Sequence, residues 1–233
     1  RISELQGEDP KRILSMIYKI VMDNNPENAE VQVAAGGLAF RKGSYGLAAK
    51  YFNRALELEG DNQEALAGLL GCYWESRDER LEATLARLDK MNPHHPASAA
   101  VRVEMALDAG KTEAARAQID KILAVNPNNL TFLSYKAAAL FLEDSDAKMK
   151  QVQAEALAFN PLCSEVYRIP GRVTSRHYRF KEGAALQRKA LEIDKDDTKA
   201  RANLAFDLLR LGEDAKGRTE LDAAFEVDPY AVQ

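Results

Sequence analysis

Apolar residues recur along this chain at intervals of three and four, which places them on one face of an α-helix. Between residues 29 and 60 two such patterns follow one another, and a polar break at Gly43 separates them. Two short amphipathic helices joined by a tight glycine turn form an antiparallel hairpin. The same break returns at Gly110 and Gly212. The pattern therefore predicts a series of helical hairpins.

Segments typical of helix ends recur with a nearly fixed period. They are centred on Pro26, Gly60, Pro93, Pro127, Pro161, Lys195 and Pro229. The steps between them are 34, 33, 34, 34, 34 and 34 residues. Proline ends a helix because it lacks a backbone N–H and clashes with the preceding turn. A fixed period in this range indicates one supersecondary unit that is stacked many times.

Small residues recur at one phase of the second helix of each hairpin, as at Ala48, Ala115 and Gly183. Residues seven positions apart lie about two turns apart on the same helix face. The corresponding later positions are also mostly small, as at Ala55 and Ala224. Small side chains let helix axes approach closely, so we expect these positions to face a neighbouring helix.

These residues resemble the pattern of the tetratricopeptide repeat family. The clearest copy reads Ala35, Gly36, Ala39, Gly43, Tyr45, Ala48, Phe52 and Ala55, and the last copy reads Leu204, Ala205, Leu208, Gly212, Gly217, Leu221, Ala224 and Pro229. The family's first-helix tryptophan is replaced by Gln32, Leu66, Ala99, Leu133, Tyr167 and Arg201. The resemblance spans essentially the whole chain. It implies an all-α, right-handed superhelical solenoid of helix-turn-helix repeats.

The period predicts a single array over residues 1–233 with about 13 helices. An opening second helix is expected at about 11–24, and full repeats are expected to start near 29, 63, 96, 130, 164 and 198. No polar capping helix is evident at either end, although repeat arrays normally need one. We therefore expect either a piece of a longer protein or chains that pack end to end.

The resemblance implies that the first helices line a groove that binds a partner. The twelfth residues of the six first helices are Phe40, Trp74, Leu107, Phe141, Ser175 and Leu209, and the ninth residues are Gly37, Gly71, Glu104, Ala138, Arg172 and Phe206. Large apolar residues beside small ones form pockets that an apolar peptide side chain can fill. We predict Phe40, Trp74 and Phe141 as anchors for a partner. The alternative is that they pack on adjacent helices.

Three arginines form a stripe on one predicted helix. Arg168, Arg172 and Arg176 are spaced four residues apart, so they share one helix face. Three guanidinium groups on one face repel one another unless anions neutralise them. The anions are either internal, from Glu104, Asp108, Glu143 and Asp144, or belong to an acidic partner or a phosphate. Pro170-Gly171 interrupts the same helix, where we expect a kink or a restart.

Composition and motifs argue against several functional classes. A net charge of −4 without a basic cluster makes nucleic acid an unfavoured partner. No apolar run reaches the length of a membrane span. The sequence has three histidines and no zinc-peptidase, nucleophile-elbow or phosphate-loop motif, so we expect no enzyme, cofactor or metal site. We predict that Cys72 and Cys163 are buried thiols.

The sequence as a whole predicts a scaffold that binds a peptide or a partner helix, with an acidic partner as one form of it. The carboxylate clamp known in some tetratricopeptide proteins is not predicted, since no repeat has its Lys and Asn pair. One alternative is a non-catalytic module of a larger bacterial protein. The last repeat resembles repeat regions of large bacterial proteins that continue into a zinc-peptidase-like domain. Another alternative is self-association through uncapped ends.

Overall fold

The computed structural model describes residues 12–229 of the chain. Residue 11, the predicted start of the opening helix, lies outside the described residues. The described part contains helices and turns and no strand. Its residues fall into two compact units. The first runs to Val101 and includes Asp228 and Pro229, and the second is Arg102–Val227. The single array predicted over 1–233 stays a prediction.

Thirteen α-helices follow one another in the described residues, and after the opening helix they form six hairpins. A π-helical segment, Ile13–Tyr18, leads into α1 (Lys19–Asn24). The hairpins are α2 (Ala29–Arg41) with α3 (Tyr45–Leu58), α4 (Gln63–Ser76) with α5 (Leu81–Met91), α6 (Pro96–Asp108) with α7 (Thr112–Val125), α8 (Leu130–Leu142) with α9 (Asp146–Phe159), α10 (Glu165–Arg176) with α11 (Phe180–Ile193), and α12 (Thr198–Arg210) with α13 (Asp214–Val227). The first helices begin within one residue of the six predicted repeat starts.

Side-chain caps fix several of these starts. The side-chain oxygens of Asn28, Asn62, Asn129 and Asp197 accept hydrogen bonds from backbone N–H groups three residues later, at 3.2, 2.9, 3.2 and 2.9 Å. These N–H groups have no carbonyl partner inside the helix, and such a cap contributes about 1 kcal/mol. The repeat boundary therefore combines a residue that ends one helix with a residue that begins the next.

The turn inside each hairpin uses the left-handed backbone region at the fifteenth residue of the repeat. The φ angles are 73° at Gly43, 54° at Arg77, 69° at Gly110, 52° at Asp144, 62° at Tyr178 and 78° at Gly212. Glycine adopts this conformation without steric cost, whereas other L-residues do not. In three of the six turns, this left-handed conformation is therefore adopted by a residue other than glycine.

The core of the first unit is built around Phe52, which is 3% exposed. Its ring lies against the backbone at Gly36 and Gly68. A Cβ atom at Gly36 would lie 2.7 Å from the ring, so the two flanking helices approach α3 closely only because these positions lack side chains. In the same unit Lys42 Nζ and Asp228 Oδ2 form a buried ion pair at 2.5 Å.

The second unit buries apolar side chains between consecutive helices. One cluster joins α8, α9 and the start of α10 through residues that include Leu133, Met149 and Val166. Another lies between α11 and α12 and includes Ala184 and Leu208. Cys163 belongs to the first of these clusters. Cys163 and Cys72 are both free and buried, which confirms the prediction for the two thiols.

Pro170 lies inside α10 without restarting it, because α10 is a single helix from Glu165 to Arg176. A residue with an N–H at this position would donate to the carbonyl of Val166. Gln153 of α9 replaces that donor, and its Nε2 donates to Val166 O at 3.2 Å in a buried contact. The neighbouring helix therefore satisfies the carbonyl that the proline leaves open.

Candidate functional site

The arginine stripe of α10 lies in the second unit, and each of its guanidinium groups contacts carboxylates of the chain. Arg168 Nη2 donates to Glu165 Oε1 at 2.7 Å, and its Nε donates to Asp197 Oδ2 at 3.1 Å. Asp197 also caps α12 through its other oxygen. Ser164 Oγ donates to Asp197 Oδ2 at 2.8 Å. One carboxylate thus joins the start of α12 to the first turn of α10.

The other two arginines meet at Glu104 of α6, whose side chain is 6% exposed. Arg172 donates to both Glu104 oxygens, with 3.0 Å between Nη1 and Oε2. Arg176 Nη1 donates to Glu104 Oε2 at 2.8 Å and to Asp108 Oδ1 at 3.0 Å. Tyr135 Oη of α8 donates to Glu104 Oε1 at 2.7 Å. We call these five residues the Glu104 network.

The network holds Glu104 in its charged form. Burial would raise the pKa of Glu104, but the charges and hydrogen bonds of Arg172, Arg176 and Tyr135 outweigh it and hold that pKa below its ordinary value. Burial and the charge of Glu104 together raise the pKa of Tyr135, so its hydroxyl remains a donor. The positive charge of the stripe is therefore neutralised within the chain.

Two of the four predicted internal anions contact the arginine stripe. Glu104 and Asp108 form ion pairs with Arg172 and Arg176. Asp144 instead contacts Arg179 at 3.3 Å, and Glu143 contacts Arg116 at 3.2 Å. Three further partners, Glu165, Asp197 and Tyr135, are not among the residues predicted from the sequence. Spacing on the helix gave a signal for Glu165, three residues before Arg168, and the recurrent cap position gave one for Asp197.

The predicted aromatic anchors differ in how much surface they present. Phe40 of the first unit is half-buried, and its ring lies 5.4 Å from that of Tyr45 between centroids. Trp74 of the same unit is 8% exposed. Phe141 of the second unit is half-buried, and the guanidinium of Arg179 lies 4.7 Å from its ring centroid. Phe40 and Phe141 are therefore partly exposed, whereas Trp74 belongs mainly to the interior.

A second group of polar side chains lies wholly inside the second unit. Asp207 and Gln187 are 0% exposed, and Ser175 is 7% exposed. Neither carboxylate oxygen of Asp207 has a hydrogen-bond partner, while Ser175 Oγ donates to Gly171 O at 2.9 Å. A Cβ atom at Gly183 would lie 2.8 Å from Asp207 Oδ2 and would collide with Ser175 Oγ. Glycine at position 183 therefore makes room for this polar interior.

The buried carboxyl group has an altered acidity. Burial raises the pKa of Asp207 to about 6, and the nearby Ser175 hydroxyl opposes the rise. Sequence reasoning did not single out Asp207, because an acidic residue in a helix normally lies on the solvated face. Its position in the repeat, three residues after Leu204 on the core face of α12, was the available signal.

Within residues 12–229, no group of three or more His, Cys, Asp or Glu side chains is arranged to hold a metal ion. No helix in this part of the chain is both long and apolar enough to cross a membrane.

Known proteins resemble this chain in structure. No protein-family model matches the sequence, and a comparison with curated proteins gives no match. A tetratricopeptide repeat protein from Parabacteroides merdae superposes with a TM-score of 0.61 at 14% identity, over 82% of this chain and 75% of that one. A thermophilic tetratricopeptide repeat protein of Thermus thermophilus superposes with a TM-score of 0.60 at 21% identity, over 78% of this chain and 100% of that one.

A third similar structure is that of the APC/C hetero-tetramer Cut9–Hcn1, with a TM-score of 0.62 at 13% identity. The match covers 94% of this chain and 44% of that chain. Likenesses at such low identity show the fold alone. They confirm the predicted fold class, an all-α array of tetratricopeptide-type helical repeats.

Proposed function

We propose that this chain is a protein-interaction scaffold, which holds a peptide or a helix of a partner protein against the first helices of its hairpins. The chain has no catalytic role in this proposal. The helical repeat fold supports it, because such arrays present extended surfaces to partners. One of the similar structures is that of a hetero-tetramer, which favours a protein as the partner.

The observation that carries the proposal is the partial exposure of Phe141 at a first-helix position of the second unit. Its ring is half-buried and supported by the core of that unit, and Arg179 lies over it at 4.7 Å. A rigid aromatic side chain of this kind loses little conformational entropy on binding, which suits it as an anchor. Phe40 occupies the same repeat position in the first unit. Trp74 is proposed as a minor contact, since 8% of it is exposed.

The proposal also assigns Arg168, Arg172 and Arg176 to an acidic segment of the partner. Their side chains are 14%, 21% and 27% exposed. Because each already contacts a carboxylate of the chain, a partner carboxylate would share the guanidinium rather than neutralise a free charge. We therefore expect a smaller contribution to binding from the stripe than from Phe141.

The test begins with partners captured by the protein and then purified, whose affinity is measured by calorimetry. Phe141→Ala is expected to weaken binding about tenfold or more, as loss of an interface anchor does. Phe159→Ala is the matched control, because Phe159 is 59% exposed in the same unit and lies outside the first helices. If Phe141→Ala and Phe40→Ala bind every purified partner as tightly as the control, the proposed site is wrong.

The contribution of the arginines to binding is tested with a variant that does not leave a buried charge without its partner. Arg172→Gln alone leaves Glu104 with fewer cations, whereas Glu104→Gln with Arg172→Gln removes both charges. Reduced affinity of the double variant for an acidic partner, with unchanged affinity for a neutral one, would support a role for Arg172. If the double variant binds the acidic partner as tightly as the parent protein does, the stripe has only a structural role.

A further inference from the structure

Three aromatic side chains of the second unit form a continuous ladder near the end of the described chain. Tyr178 and Phe180 have ring centroids 6.1 Å apart with planes at 84°, and Phe180 and Phe206 have centroids 6.0 Å apart with planes at 70°. Such edge-to-face pairs hold one another in place. We call Tyr178, Phe180 and Phe206 the aromatic ladder.

The ladder is exposed to a degree unusual for large rings. Tyr178 is 80% exposed and Phe206 is 50% exposed. Phe206 is the ninth residue of its first helix, a position that the family resemblance assigns to partner binding. Leu209, the twelfth residue of the same helix, is 40% exposed.

The backbone at Tyr178 has an unfavourable conformation for a ring-bearing residue. Its φ is 62°, at the turn position that Gly43, Gly110 and Gly212 occupy in other repeats. A left-handed backbone costs a residue with a Cβ atom about 1 kcal/mol. The turn is held in place by His177 Nε2, which donates to Leu107 O at 2.7 Å. Tyr178 is mostly open to solvent although its backbone is strained, and strained residues cluster at functional sites.

Arg210 adds a positive charge to the ladder. Its guanidinium carbon lies 5.8 Å from the ring centroid of Phe180 and 5.4 Å from that of Phe206. Within residues 12–229 it forms no ion pair, in contrast to the arginines of the Glu104 network. A guanidinium stacked on aromatic rings keeps its N–H edge available, and this edge matches a carboxylate.

We propose that the aromatic ladder and Arg210 bind a linear acidic peptide of a partner protein, in which an aromatic or aliphatic side chain lies beside a carboxylate. The apolar side chain contacts the rings of Phe180 and Phe206. The carboxylate accepts hydrogen bonds from Arg210. This inference rests on the proposed scaffold function, and it assigns one partner segment to the last repeat.

The test uses a displayed library of random dodecapeptides selected against the whole protein. We expect enrichment of sequences that place Asp or Glu next to Phe, Tyr, Trp or Leu. Synthetic copies of the enriched peptides are then titrated against Phe206→Ala and Arg210→Gln, and each change is expected to weaken binding about tenfold or more. Phe159→Ala and Arg218→Gln, at exposed positions of the same unit, are expected to leave affinity unchanged within about twofold.

Tyr178→Gly separates a binding role from a structural one. Glycine relieves the left-handed strain and removes the exposed ring, so the variant is expected to resist urea at least as well as the parent while it binds the peptides more weakly. A variant that loses stability and keeps its affinity would show that Tyr178 serves the fold.

Other outcomes would overturn the inference. Enriched peptides without acidic residues, or with affinities that Phe206→Ala and Arg210→Gln do not change, would exclude the ladder as their site. If such peptides depend on Phe141 or Phe40, the scaffold proposal stands and only the ladder fails. If no peptide is enriched and Phe206→Ala abolishes self-association in sedimentation, the ladder binds a second copy of the chain.

Discussion

The carboxyl group of Asp207 lies inside the second unit without a hydrogen-bond partner, so its charge is costly. Its pKa is raised to about 6 from an ordinary value of 3.8. The folded protein therefore binds a proton more tightly than the unfolded chain does. Stability from this group is complete below pH 4 and is lost as the pH rises through about 6.

We expect Asp207→Asn to stabilise the protein by about 3 kcal/mol at pH 8 and to have little effect at pH 4. The reason is that asparagine carries no charge at either pH. Urea unfolding followed by circular dichroism at several pH values measures the difference between variant and parent. A difference that is the same at pH 4 and pH 8 would show that Asp207 stays charged in the folded state.

Glu104 is the opposite case, a buried carboxylate with several donors. Glu104→Gln leaves Arg172 and Arg176 with less negative charge around them and is expected to cost about 3 kcal/mol of unfolding free energy. Glu143→Gln, which removes a more exposed pair with Arg116, is expected to cost less than about 1 kcal/mol. Urea unfolding monitored by circular dichroism compares the two variants. Equal costs would mean that the Glu104 network is no stronger than a surface pair.

At the scale of the element, α10 depends on a residue of another helix. Gln153→Leu leaves the carbonyl of Val166 without a donor and is expected to cost about 2 kcal/mol. In a Pro170→Ala background the helix regains its own N–H, so the same change is expected to cost less. Hydrogen exchange of the α10 amides and the urea concentration at the midpoint of unfolding together measure both effects. Additive costs would show that Gln153 does not compensate for Pro170.

Most element boundaries could be predicted because breakers and turn residues repeat with the period. The starts at Ala29, Gln63 and Leu130 follow directly from it. The left-handed turns at Arg77 and Tyr178 could not be read from residue type, since these residues rarely adopt that conformation. The continuity of α10 was missed for a related reason, because the compensating donor Gln153 lies in a different helix.

At the scale of the molecule, the period predicts contacts between residues about one repeat apart. The period does not predict the contacts of Glu104 with Arg172 and Arg176, which are 68 and 72 residues away in the sequence. Those contacts depend on how successive first helices stack. The buried pair of Lys42 with Asp228 spans 186 residues within the first unit, and no local pattern indicates it.

This pair is expected to matter for the stability of the first unit. Lys42→Met leaves Asp228 buried with less positive charge nearby and is expected to cost about 3 kcal/mol. Adding Asp228→Leu removes the second charge and is expected to recover part of that loss. Trp74 is the only tryptophan of the chain and lies in the same unit, so its fluorescence in urea reports the effect. A double variant as unstable as the sum of the single variants would exclude coupling between the two residues.

The same ion pair bears on the order of events in folding. Hairpins form from neighbouring residues within microseconds, whereas contact between residues 186 positions apart must await the closure of a very long loop. The pair should then be absent from the transition state, with a φ-value near zero. Lys42→Met would accelerate unfolding and leave the refolding rate unchanged. In stopped-flow fluorescence, this ion pair would therefore set the lifetime of the folded state and not the rate of folding.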